Sequence, residues 1–206
     1  MKAFIWDLDG TLLDSYGVIV SSILETCRSY GLQLERKEVH RQIIRHSVTC
    51  YLESAARVHS LSFREMKDRF DAIGARHKSE IGAIPHAKEA LDALKRQGAT
   101  HFVYTHRGET SNAILDQIGL GGYFDEIVTS LNGFPRKPKP DGVLYLVRKY
   151  GLDPMTTFYV GDRTIDMDCA KNAGIQGILY LPEGSYCVPN GSETHIVRDL
   201  ADISGI

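Results

Sequence analysis

The sequence predicts an α/β fold, in which helices cover both faces of a parallel sheet and an all-helical segment is inserted after the first strand. Short runs of β-branched and aromatic residues alternate along most of the chain with amphipathic stretches, as is typical of parallel strands joined by helices. The interval after the first run has helical periodicity and no convincing strand. With 206 residues, of which 43% are hydrophobic, the chain is long enough for one substantial core and a small second domain.

Five short apolar runs are predicted to be the strands of the sheet. Each run is nearly continuous in hydrophobic character, as expected for a strand that is buried on both faces. The runs are Ala3–Trp6, His101–Thr105, Glu126–Thr129, Thr157–Val160 and Gly177–Leu181.

Four amphipathic stretches between these runs are predicted to be helices that pack on the sheet. Every one of them is followed by a glycine, the residue that most readily ends a helix in a left-handed conformation. The stretches are His86–Gln97, Glu109–Ile118, Asp141–Tyr150 and Asp166–Ala173, and the glycines are Gly98, Gly119, Gly151 and Gly174.

The inserted interval predicts a separate helical domain. We expect residues 15–84 to form this domain as a helical cap, and residues 1–14 and 85–206 to form the α/β core. Ser62 and Glu65 have the spacing of a capping box, which predicts that a helix of the cap begins there. We expect the cap to lie over the carboxyl edge of the sheet, where a lid excludes water and supplies specificity contacts.

The composition argues against several classes of partner. A formal net charge of -2 gives no electrostatic reason to expect nucleic acid, and no apolar run resembles a membrane span or a signal peptide. The four cysteines are widely spaced and form no C-x-x-C pair, which is typical of reduced thiols. We therefore expect a cytoplasmic protein that has neither nucleic acid nor membrane as a partner. Nothing in the sequence indicates an oligomeric state.

Charged and polar residues follow four of the predicted strands, at the sheet edge where open parallel sheets bind ligands. Asp7 and Asp9 follow the first strand and point the same way, because side chains alternate along an extended chain. Like charges this close repel each other, so either a bound cation or a shared proton has to compensate. The other strand ends carry Thr105, His106, Arg107, Lys137, Asp162 and Asp166.

This combination of groups suits phosphoryl transfer through a covalent aspartyl phosphate. A carboxylate can attack phosphorus directly and so divide one hydrolysis into two displacements. Mg²⁺, which prefers oxygen ligands, would relieve the repulsion between the carboxylates and an incoming phosphate. A hydroxyl and an ammonium group would stabilise the transferring phosphoryl group, and a second carboxylate would exchange a proton with the leaving group and then with water.

Four segments in order resemble the motifs of the haloacid dehalogenase-like hydrolase superfamily. They are "DLDGT" at residues 7–11, the strand-end Thr105, "KPKP" at residues 137–140 and "GDRTID" at residues 161–166. The resemblance spans nearly the whole chain. It implies a Rossmann-like core with a small all-helical cap inserted after the first motif, as in the phosphoglycolate phosphatase-like members of the phosphatase branch.

The resemblance also implies roles for individual residues. Asp7 would be the nucleophile, and Asp9 would be the general acid and base. Thr105 would hydrogen-bond the phosphoryl oxygens, and Lys137 would neutralise the nucleophile and the phosphate together. Mg²⁺ would be held by Asp7, Asp162, the backbone carbonyl of Asp9 and, as a supporting ligand, Asp166.

Some positions depart from the commonest form of these motifs. His106 and Arg107 stand after Thr105, where many relatives have an asparagine. These two residues either bind the substrate, at its phosphate or its leaving group, or only shape the loop. Arg163 stands where a small residue is common, and it either pairs with Asp166 or reaches outward.

The lysine of the third motif has two neighbours of the same charge. Arg136 and Lys139 compete with Lys137 for the role, because a basic cluster is usually a solvated loop. The arrangement of prolines favours Lys137, since Pro138 and Pro140 stiffen the segment and begin a helix.

Arg45 and His46 are the candidate substrate-binding residues of the cap. With Ser47 they interrupt two apolar helical runs in the stretch "IIRHSVTCYLE". They either recognise an anionic or polar leaving group or are solvated cations that complement the carboxyl end of a helix.

The sequence thus predicts a Mg²⁺-dependent phosphatase that hydrolyses a small phosphorylated metabolite. A sugar-phosphate mutase of the same superfamily is an alternative, since it shares Asp7 and Asp9. A non-catalytic module that binds a phosphorylated metabolite is another, although Asp7, Asp9 and Lys137 are all present. A dehalogenase typically lacks the second aspartate, so Asp9 argues against that reaction.

Overall fold

The computed structural model describes all residues from 1 to 206, in two compact units. One unit, the α/β unit, consists of residues Met1–Asp14 and Gly82–Ile206, and the other, the helical unit, consists of Ser15–Ile81. The strands are β1 (Ala3–Trp6), β2 (Leu13–Asp14), β3 (Gly82–Ala83), β4 (Thr100–Tyr104), β5 (Glu126–Val128), β6 (Thr157–Gly161), β7 (Gln176–Tyr180) and β8 (His195–Val197). The α-helices are α1 (Tyr16–Arg28), α2 (Arg36–Arg45), α3 (Val48–Val58), α4 (Phe63–Arg76), α5 (Ala87–Arg96), α6 (Thr110–Gln117), α7 (Asp141–Tyr150) and α8 (Thr164–Ala173).

The α/β unit is built on a six-stranded parallel sheet with the strand order β5-β4-β1-β6-β7-β8. The central strand β1 is fully buried and pairs with β4 on one side and β6 on the other, so that Trp6 lies opposite Val103 and Val160. This register aligns the carboxyl ends of the three strands at one edge. The α/β fold class predicted from the alternating pattern is therefore confirmed.

The predicted strands and sheet-covering helices agree with the structure to within one or two residues at each end. The glycines after all four predicted helices have positive φ values, between 62° and 81°. One edge strand, β8, was not predicted: it is only three residues long, and Ile196 at its centre is half exposed. A strand this short and exposed gives no periodic signal.

The expectation that the inserted interval contains no strand is wrong at its carboxyl end. Gly82–Ala83 pairs antiparallel with Leu13–Asp14, directly after the first strand and its turn. Two-residue strands are too short to show an alternating pattern, so the sequence could not reveal this ribbon.

A buried histidine supports the centre of the sheet. The ring N–H of Trp6 donates to Nδ1 of His101 at 3.2 Å, and both side chains are buried. Burial, together with the charge of Lys95, lowers the pKa of His101 to about 4. His101 is therefore a neutral core residue whose ring nitrogen accepts a hydrogen bond.

The helical unit packs α1 to α4 around its own apolar core, which includes Ile23, Val39, Leu52 and Met66. The predicted helix start at Ser62 is confirmed, since its side chain accepts a hydrogen bond from the backbone N–H of Glu65 at 3.3 Å. All four cysteines are unpaired. None of the helices has both the length and the apolar character that crossing a membrane requires.

Candidate active site

Three acidic side chains meet where β1 and β6 end. Asp7 directly follows β1, and its backbone N–H donates to the carbonyl of Val160 in β6 at 2.9 Å. Asp162 directly follows β6, and Asp166 lies in the first turn of α8. All three carboxylates are buried, and one oxygen from each lies within 4.8 Å of the others.

The carboxylate of Asp7 lacks ordinary hydrogen-bond partners. Both of its oxygens are buried and accept no hydrogen bond, although Nζ of Lys137 lies 3.0 Å from Oδ1 and Nη2 of Arg163 lies 3.9 Å from Oδ2. Buried carboxylate oxygens normally accept hydrogen bonds or coordinate a metal. The unfilled capacity of Asp7, next to two further buried carboxylates, fits a divalent cation with oxygen ligands.

Lys137 is the cation at the centre of this cluster. Its Nζ contacts Oδ1 of Asp7 at 3.0 Å, Oδ1 of Asp166 at 2.7 Å and the hydroxyl of Tyr159 at 2.9 Å. Burial would lower the pKa of Lys137, but attraction to Asp166 and Asp7 outweighs it and raises the pKa. Lys137 is buried, whereas its neighbours Arg136 and Lys139 are exposed, so Lys137 is the lysine that the fold brings to the site.

Tyr159 is a contributor to the site that the sequence did not reveal. It lies in the middle of β6, and its hydroxyl donates to the backbone carbonyl of Tyr104 at 2.7 Å while it accepts from Lys137. A buried tyrosine hydroxyl needs such partners. The strand pattern marks Tyr159 as buried, but only the folded register shows that its hydroxyl reaches Lys137.

Asp166 is held by the start of α8. Its Oδ2 accepts from the backbone N–H of Arg163 at 3.1 Å, and its Oδ1 accepts from Lys137. A Cβ atom at position 161 would overlap the Asp166 side chain, so only glycine permits this close approach of the helix to β6. Burial raises the pKa of Asp166, and the charge of Lys137 opposes that rise.

The second aspartate after β1 has a different partner. Nε of Arg107 lies 3.1 Å and 3.2 Å from the two carboxylate oxygens of Asp9, and Nη2 also contacts Oδ1. Nη1 of the same guanidinium donates to the hydroxyl of Thr110 at 3.1 Å. Burial would lower the pKa of Arg107, but Asp9 raises it. The pair is a forked, charge-assisted contact between two partly buried side chains.

Thr105 and His106 follow β4 and arrange its loop. The hydroxyl oxygen of Thr105 accepts the backbone N–H of Arg107 at 3.2 Å, so its own O–H stays available as a donor. Nε2 of His106 accepts the backbone N–H of Lys137 at 2.8 Å. Burial and the charges of Lys137, Arg136 and Arg163 lower the pKa of His106 to about 2, so His106 is neutral and positions the backbone at Lys137.

Two further residues lie beside the acidic side chains. Thr11 is fully buried and donates from its hydroxyl to Oδ1 of Asp162 at 3.2 Å, which helps to orient that carboxylate. The guanidinium of Arg163 lies beside Asp7, with Nη2 3.9 Å from Oδ2, while its backbone N–H donates to Asp166.

Arg45 and His46 belong to the helical unit. Arg45 is the last residue of α2, His46 comes directly after it, and both are exposed. Their contact with substrate therefore stays a prediction from the sequence.

Comparisons with known proteins agree with the motif pattern. A family model described as haloacid dehalogenase-like hydrolase matches residues 4–180. Phosphoglycolate phosphatase from Aquifex aeolicus is 30% identical over 88% of this chain and 85% of its own, and pyrophosphatase PpaX from Bacillus velezensis is 28% identical over 98% of this chain and 94% of its own. A crystal structure described as a predicted phosphoglycolate phosphatase from Haemophilus somnus 129pt superposes with a TM-score of 0.86 at 27% identity, covering 98% and 96% of the two chains.

Proposed function

The chain belongs to the haloacid dehalogenase-like hydrolase family and is a phosphatase of that family, and from this premise we propose that it hydrolyses a small phosphomonoester through a phosphorylated Asp7. The observation that carries the proposal is the Asp7 carboxylate itself. It is buried, it accepts no hydrogen bond, and two cations lie against it. Such a carboxylate keeps its lone pairs for attack on phosphorus.

Mg²⁺ is the cofactor that this site fits. Asp7 and Asp162, with the backbone carbonyl of Asp9, would hold it. Bound there, Mg²⁺ would offset the repulsion between these carboxylates and an incoming phosphate dianion. Asp166, whose oxygens accept hydrogen bonds from Lys137 and from the backbone of Arg163, would fix Lys137 and act as a supporting ligand of the ion.

The remaining groups divide the work of the two displacements. Asp7 attacks phosphorus while the bond to the leaving oxygen breaks, and Asp9 gives that oxygen a proton. Asp9 then takes a proton from water, which attacks the phosphorus, releases inorganic phosphate and restores Asp7. The Thr105 hydroxyl and the Lys137 ammonium are donors for the phosphoryl oxygens.

Phosphate release tests this function directly. The purified protein is assayed on phosphoglycolate, pyrophosphate and p-nitrophenyl phosphate, with Mg²⁺ and again with a chelator. We expect turnover of at least one substrate, lost on chelation and restored by added Mg²⁺. Binding of these compounds without turnover would contradict the enzyme assignment, and turnover that chelation leaves unchanged would contradict the metal-assisted scheme.

A further inference from the structure

We propose that Arg107 is a specificity-determining residue that binds an anionic group on the leaving-group side of the substrate, a carboxylate or a second phosphoryl group. This inference rests on the proposed function, because Asp9 marks the leaving group only if it transfers the proton. It adds a substrate class to that function: phosphate esters or anhydrides whose leaving group is itself negatively charged.

The donors of Arg107 are only partly engaged. A guanidinium has five N–H groups, and the contacts with Asp9 and Thr110 use one on each of its three nitrogens. The second N–H on each terminal nitrogen is left for another acceptor, and the side chain is 14% exposed. Arg107 can therefore keep Asp9 in place and donate hydrogen bonds to a second oxyanion at the same time.

The cations of the site are divided between its two aspartates. Lys137 and Arg163 lie against Asp7, where the transferring phosphoryl group would bind. Arg107 instead makes its carboxylate contacts with Asp9. A cation beside the proton-transferring carboxylate is placed for the part of the substrate that leaves, not for the part that is transferred.

Of the two basic residues after Thr105, Arg107 is the one equipped for an anion. His106 is neutral, and its Nε2 is occupied by the backbone N–H of Lys137. Arg107 carries its charge, with a pKa that Asp9 raises further. The segment after β4 thus offers one charged anion receptor beside Asp9.

A matched pair of substrates isolates this role. Phosphoglycolate and 2-hydroxyethyl phosphate differ only in a carboxylate against an uncharged hydroxymethyl group, and pyrophosphate provides the second phosphoryl group. We measure kcat/KM for each anionic substrate and divide it by kcat/KM for 2-hydroxyethyl phosphate. This ratio is compared between the unaltered protein, Arg107→Gln and Arg107→Lys. Arg148→Gln, a change at an exposed arginine of α7, is the control.

We expect Arg107→Gln to lower this ratio roughly ten- to a hundredfold for the preferred anionic substrate, the usual worth of a hydrogen-bonded charge contact. Arg107→Lys should restore part of it, and Arg148→Gln should leave it unchanged. The substrate whose ratio falls identifies the carboxylate or the phosphoryl group as the ligand. An equal fall on charged and uncharged substrates would overturn the proposal, because it would show that Arg107 acts only by positioning Asp9.

A binding measurement separates failure of this proposal from failure of the proposed function. The affinities of phosphoglycolate and 2-hydroxyethyl phosphate are compared by calorimetry in Asp7→Asn protein, with and without Arg107→Gln. Selective loss of phosphoglycolate affinity supports the role of Arg107 even if no turnover is found. Equal affinities with and without Arg107 would overturn it even in an active phosphatase.

Discussion

Asp7 and Asp9 stand two residues apart at the end of one strand, yet the fold gives them opposite surroundings. The side chain of Asp7 is 2% exposed and lies among buried charges that include Lys137, whereas the side chain of Asp9 is 24% exposed and is held by Arg107. In the proposed mechanism, the buried Asp7 would attack phosphorus, a step that is the same for every phosphate ester. The more exposed Asp9 would lie beside the leaving group, the part of the substrate that varies.

The difference arises from the neighbouring strands and from the turn after Asp9. Asp7 is still hydrogen-bonded to β6, so the residues after β6 surround it. Gly10 then adopts a φ of 81° and turns the chain, a conformation that costs glycine little. Asp9 is left at the start of that turn, within reach of the segment after β4.

Asp7→Asn should have the largest effect on activity and little effect on folding. Loss of the nucleophile should lower kcat by at least about 10⁴-fold, as removal of a catalytic nucleophile does in other hydrolases. The free energy of unfolding should change by less than about 1 kcal/mol, because Lys137 keeps Asp166 as a partner. Steady-state kinetics and urea unfolding measure the two effects. Asp14→Asn, at an exposed position of β2, is the control, and wild-type turnover by Asp7→Asn would rule out the covalent route.

Lys137→Met should affect both stability and turnover. Removing the cation leaves Asp7 and Asp166 buried without their main countercharge, which should lower the free energy of unfolding by about 3–5 kcal/mol. Urea unfolding measures this loss, and Lys139→Met, two residues away and exposed, should change it by less than about 0.5 kcal/mol. Equal losses in the two variants would show that the buried cluster has no special electrostatic importance.

His106 should make the free energy of unfolding depend on pH, because the folded protein keeps its ring neutral. This ring follows β4, beside Arg107, and accepts a hydrogen bond from the backbone of Lys137. The folded pKa is about 2, so between pH 6.5 and 5 the unfolded chain binds a proton at His106 and the folded chain does not. The free energy of unfolding should therefore fall by about 1.6 kcal/mol from this residue over that interval. In His106→Gln, which retains an acceptor for the Lys137 N–H, the decline measured by urea unfolding should be smaller by that amount. An unchanged decline would contradict a neutral, partly buried His106.

Tyr159→Phe should lower the free energy of unfolding by less than Lys137→Met does, and it tests how much Lys137 depends on its hydroxyl partner. The change removes one acceptor from Lys137 and one donor from the carbonyl of Tyr104, which should cost about 1–2 kcal/mol of unfolding free energy. We expect kcat to fall while KM changes little, because the phenol lies behind Lys137. A control is Tyr30→Phe in the helical unit, and an effect confined to KM would mean that Tyr159 contacts substrate.

Arg45→Ala should have the smallest effect on activity. It tests whether a residue of the helical unit recognises the substrate. If Arg45 recognises the leaving group, KM for the natural substrate should rise several-fold, by roughly the worth of an exposed charge contact, while KM for p-nitrophenyl phosphate stays the same. Equal changes on both substrates would identify Arg45 as a solvated helix-end cation.

The sequence was most informative where chemistry depends on strand ends. Asp7, Asp162 and Lys137 could be assigned to one edge, because parallel strands bring their carboxyl-terminal residues to the same edge of the sheet. The contacts of Tyr159 and Arg163 could not be foreseen, since they depend on how segments more than twenty residues apart are registered against each other. The fork between Arg107 and Asp9 was hidden for the same reason, although both residues were singled out as candidates.

The proposed reaction depends on phosphorylation of Asp7, and this phosphoryl group can be trapped. Asp9→Asn protein, in which attack by water on the phosphorylated form should be slowed, is mixed with Mg²⁺ and p-nitrophenyl phosphate, whose leaving group needs no proton from Asp9. The mixture is quenched in acid and digested for mass spectrometry. We expect one added phosphoryl group on the peptide that contains Asp7, and none in the Asp7→Asn, Asp9→Asn double variant. A phosphoryl group on another residue, or inorganic phosphate released in a single turnover without any labelled peptide, would contradict it.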